Sequence, residues 1–155
     1  TAYEIRPRDW SSDVCSSDLY TSHERAGIIN DLLAGIKPYI KEDDCLFAYG
    51  SIPAINYMTR TRPFIGCSWP ELLSAPLLKQ KLNNYKGPLP AILRQKFDSI
   101  GKEFGTPDEN YLIDCGVEAG TFKSNKKSQV VNEFIEKNNY KIVFENQYFI
   151  LFLPQ

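Results

Sequence analysis

Arg60 and Arg62 flank Thr61. Two guanidinium groups so close in sequence can grip a phosphate or pyrophosphate through bidentate hydrogen bonds. Tyr49 and Trp69 stand on either side of them along the chain, and either ring could add a stacking surface. Arg60, Arg62, Tyr49 and Trp69 are therefore the candidate ligand-binding residues. The competing reading is two solvated or salt-bridged arginines and a tryptophan in the core or a lid.

Other chemistry is thin. Ser51 follows an apolar run where a nucleophile could sit, but the string 49–53 lacks the second glycine of the G-x-S-x-G elbow. Ser51 then serves better as a helix cap. Gly50 stands without G-x-G-x-x-G or G-x-x-x-x-G-K-[ST] around it, so no nucleotide and no cofactor is expected. His23 is the one histidine and reads as a solvated residue in a helix's first turn. One histidine with scattered cysteines gives no metal-ligand spacing, so no metal site is expected. Asp43, Asp44 and Glu145 make no carboxylate pair whose separation the sequence fixes. No catalytic residue is assigned.

The elements that must hold these residues read as an α/β domain. Residues 45–49 are all apolar or aromatic without alternation, the pattern of a strand covered on both faces. Before them, Ile28, Ile29, Leu32, Leu33 and Ile36 recur at helical spacing. Thr21 with Glu24 forms a capping-box pattern at that helix's start. After them, Ala54, Ile55, Tyr57 and Met58 make a short helix opened near Pro53. Residues 63–65 are expected as a second strand, completing a βαβ unit. Pro70 or Pro76 can open the next helix, which carries Leu72, Leu73, Leu77, Leu78 and Leu82. Residues 89–95 are a third strand, with Pro90 confined to its start or an exposed side.

Residues 96–123 are punctuated by glycines and read as a surface insertion, with a short helix near 97–104 and an extended piece at 111–115. Ser124 or Asn125 can cap a last helix bearing Val130, Val131, Phe134 and Ile135. Residues 140–145 and 148–153 are β-prone runs joined by Asn146-Gln147, a tight antiparallel hairpin. The expected architecture is a small Rossmann-like layered domain. Its sheet is mainly parallel and flanked by helices, with an antiparallel hairpin at the C-terminus.

The chain's 155 residues suit one domain. Its 18 basic and 19 acidic residues give no electrostatic case for nucleic acid. No apolar run approaches the roughly 20 residues of a membrane span. Residues 1–19 resemble a translated sequencing adapter. Both 1–5 and 9–19 match adapter codons in one frame, with 6–8 where a sample index would fall. The leader is thus expected to be non-native and disordered, and residues 20–155 to be the genuine domain. Cys15 falls in the leader, leaving Cys45, Cys67 and Cys115, an odd number that cannot form a complete disulfide framework.

Segments 23–40, 43–49, 52–63, 68–70 and 139–149 together resemble the C-terminal soluble domain of bacterial polytopic membrane proteins. Those proteins are similar to the dolichyl-phosphate-mannose–protein mannosyltransferase (GT-C) glycosyltransferases. The resemblance implies a domain on the extracytoplasmic, periplasmic side of the cell membrane. Its partner would be the membrane-embedded N-terminal part of the same parent, with a lipid-linked sugar or acceptor nearby. The family's catalytic carboxylates lie in that membrane part, so none transfers to a residue of this chain. The implied function is accessory and non-catalytic. The alternative is a free-standing α/β domain binding a small phosphate-bearing anion.

Overall fold

A computed structural model describes residues 2–5, 19–50, 52, 54–96 and 126–155, with side chains from Arg25 onward. Ser51, Pro53, Cys115, the caps at Ser124 or Asn125, and the elements expected at 97–104 and 111–115 lie outside the described residues. Of the leader, expected to be disordered, Ala2–Ile5 forms β1, which pairs antiparallel with β2 (Leu19–Ser22) at the start of the expected domain. This ladder is separate from the main sheet and touches α1 (His23–Ile36). Thr21, expected to cap α1, is instead paired with Tyr3 in β2, and the helix begins after it.

The main sheet has five strands. They are β3 (Cys45–Tyr49), β4 (Arg62–Pro63), β5 (Ala91–Gln95), β6 (Tyr140–Glu145) and β7 (Phe149–Pro154), in the order β4-β3-β5-β7-β6. The sheet is mixed where a mainly parallel one was expected. β3 runs parallel to both β4 and β5, while β7 is antiparallel to β5 and to β6. The other helices are α2 (Ile55–Met58), α3 (Ala75–Asn84) and α4 (Lys126–Lys137).

Two cores explain the unbroken apolar run of β3. Leu46 and Ala48 face a cluster built by Ala26, Ile29, Leu32 and Ile36 of α1, Ile55 of α2, Leu93, Phe149 and Leu151. Phe47 and Tyr49 point the other way. They join Leu78 and Leu82 of α3, Val130, Val131 and Phe134 of α4, Ile92, Phe64 and Phe152. Each strand residue therefore has a dry side to enter, and each fully buried Leu or Phe contributes about 1.5–3 kcal/mol. Phe64 ties the second cluster together by edge contacts, with ring centroids 5.5 Å from Phe47 and 4.4 Å from Tyr85.

The expected second strand at 63–65 is shorter and earlier. β4 ends at Pro63, and Phe64–Gly66 turns as a 3-10 helix. Ile65 has a φ of 53°, which no strand tolerates, and the reversal drives Phe64 into the core. Both proline candidates open helical turns. Pro70 begins a 3-10 turn at Pro70–Leu72, and Pro76 lies in the first turn of α3.

The C-terminal hairpin forms with two refinements. Its loop spans three residues, because Asn146 Oδ1 accepts from the backbone N–H of both Tyr148 and Phe149 at 2.9 and 2.8 Å, an Asx turn. A bulge shifts the β6–β7 register between Ile142 and Phe144. The extra residue lets Tyr140 face the α3–α4 core while Phe144 faces α1. There the Phe144 ring lies directly over Gly35, where any Cβ would collide with it.

Candidate functional site

Topology singles out one end of the sheet. The chain leaves β3 by α2, on the α1 side, to reach β4. It returns by α3, on the opposite side, to reach β5. The strand order reverses between β3 and β5, and ligands of open α/β sheets settle outside the carboxyl ends at such a switch point.

A polar seam runs across that end. Tyr49 and Arg94 are register partners on adjacent parallel strands. Ser128 and Asn132 lie one turn apart on α4, and a helix presents i and i+4 on one face. The Tyr49 hydroxyl meets the Ser128 hydroxyl at 3.2 Å, and Arg94 Nη1 donates to Asn132 Oδ1. Helix and sheet are thereby fixed in one register. Beside Ser128, Lys127 Nζ donates to the carbonyl of Glu71 at 2.6 Å. Glu71 is buried in the turn that Trp69 introduces. The indole Nε1 of Trp69 is buried and has no hydrogen-bond partner.

On the other face, Gly50 and Gln95 approach each other where β3 and β5 end. Gly50 has a φ of +150°, and a Cβ there would lie 2.5 Å from Gln95 Cβ. Glycine is required on both counts. Farther along, Lys96 pairs with Glu145 at 2.5 Å.

The four candidate residues divide between the two ends of the sheet. Tyr49 is fully buried and belongs, with Trp69, to the carboxyl end. Arg62 pairs with Cys45 at the start of β3, about 13 Å of strand from Tyr49 at the usual rise. Its Nε donates to the Asp43 carbonyl at 2.9 Å, and Arg60 Nη1 meets Glu42 Oε1 at 2.9 Å. Both arginines thus tie the connection between α2 and β4 to the loop just before β3. Between them, buried Thr61 bonds Asn56 Nδ2 at 3.1 Å, and Asn56 also donates to the Leu46 carbonyl. An exposed pair like Arg60–Glu42 contributes about 0–1 kcal/mol.

The amino end also holds a thiol and a phenol that are partly buried. Burial pushes the Cys45 thiol pKa up, and the Arg62 guanidinium pulls it partway back. Tyr140 donates to the Pro90 carbonyl at 2.9 Å. Burial, with smaller contributions from Cys45 and Tyr85, raises its phenol well above the ordinary range.

Chemically, the described contacts of the seam join α4 to the sheet. A tyrosine–serine hydroxyl pair contains no group basic enough to take a proton at neutral pH. Among the described residues, no group of three or more His, Cys, Asp and Glu side chains could hold a metal, and no helix is long and apolar enough to cross a membrane. Ser128, Asn132, Arg94 and Lys127 were not singled out by sequence. The i, i+4 spacing of Ser128 and Asn132 was visible, but its partners come from strand register. Compared with protein-family models, curated proteins and solved structures, the chain matches none.

Proposed function

We propose that this chain is an accessory, non-catalytic domain of a membrane glycosyltransferase-like protein, held on the extracytoplasmic side against the membrane-embedded part of the same parent. The order β4-β3-β5, with crossovers on opposite faces, also supports reading its layering as Rossmann-like. One observation carries the functional reading. Among the described residues, the polar side chains at the carboxyl end, Tyr49 with Ser128 and Arg94 with Asn132, join α4 to the sheet. The resemblance of segments 43–49, 52–63 and 139–149 to GT-C glycosyltransferase relatives supplies the parent.

The reading predicts several apolar spans of about 20 residues in the reading frame upstream of Tyr20. A frame without them removes the membrane parent. The isolated domain, given a lipid-phosphate sugar and an acceptor, is expected to transfer nothing. Transfer by the domain alone overturns the non-catalytic assignment. The alternative, a domain binding a phosphate-bearing anion through Arg60 and Arg62, predicts sugar-phosphate binding that the Arg60→Ala/Arg62→Ala double variant loses. Binding unaffected by that variant removes the arginine site.

A further inference from the structure

We draw no further inference here: the strongest candidate, the surface patch at the start of α3 where Leu72 and Leu77 are exposed, carries nothing because no feature of the structure shows what covers it.

Discussion

Gly50→Ala tests the close approach on which the carboxyl end is built. The φ of +150° at Gly50 is one that residues with a Cβ rarely adopt, and holding alanine there costs about 1–3 kcal/mol. The new methyl would sit 2.5 Å from Gln95 Cβ and 3.2 Å from Cδ. Carbons rest about 3.5–4.0 Å apart, so relief requires roughly 1 Å of extra separation. That separation must come from strands laddered as far as Tyr49↔Arg94, and overpacking of this kind costs about 1–3 kcal/mol. The two contributions overlap as the chain relaxes, giving an expected loss of about 3 kcal/mol, or roughly 6–12 °C in Tm for a domain of this size. Urea unfolding followed by far-UV circular dichroism and by Trp69 emission measures it. Gln95→Gly removes the opposing Cβ, so Gly50→Ala should cost about 1 kcal/mol or more less in that background than in the parent, a double-mutant coupling. A Gly50→Ala variant within about 0.5 kcal/mol of the parent, or a vanishing coupling, would refute the reasoning.

Gly35→Ala should also destabilise, by about 1–3 kcal/mol, although alanine is the better helix former. The Phe144 ring occupies the space the methyl needs, with Cζ at 2.5 Å and Cδ2 at 3.0 Å; Phe144→Ala in the same molecule should turn the change favourable, read by urea midpoint. Ser128→Ala removes the buried hydroxyl that meets Tyr49 and should cost about 1 kcal/mol, a loss that should shrink in a Tyr49→Phe background; additive losses would mean the 3.2 Å contact is not a bond. Cys45 and Tyr140 both hold their protons more tightly in the fold, so stability is full below their ordinary values of 9.0 and 10.0 and falls as pH climbs through the raised ones. Urea midpoints taken from pH 7 to 11 should show that decline, reduced in Tyr140→Phe; a flat profile contradicts the burial of both groups.

How much of this was legible depended on whether the cause was local. β3 could be read because every residue of 45–49 meets a dry face, and that leaves a direct trace in composition. The hairpin could be read because 140–145 and 148–153 are β-prone on their own, although the second strand runs from Phe149 to Pro154. β4 could not be bounded, since the left-handed turn at Ile65 answers to the pocket awaiting Phe64. Equally hidden was the crossing of Phe144 to the α1 face, which needs both the bulge and the glycine opposite. The carboxyl-end seam was invisible for the same reason. Arg94 and Asn132 are 38 residues apart in sequence, and only strand register makes them neighbours. The arginines illustrate the converse. Their spacing looked like a ligand clamp, yet the partners that hold them, Glu42 and the Asp43 carbonyl, sit in the loop just before β3.

The bulge in β6 has one further effect, on how molecules of this domain meet one another. β6 is the outermost strand, and its far side offers backbone groups to any passing extended chain. An intermolecular ribbon needs several consecutive donors and acceptors in step, and the misregister between Ile142 and Phe144 breaks that rhythm halfway along. Exposed Lys141 adds a charge that a like neighbour repels. The same irregularity that seats one aromatic ring inside the molecule therefore guards its flank against fibre-like stacking in concentrated solution.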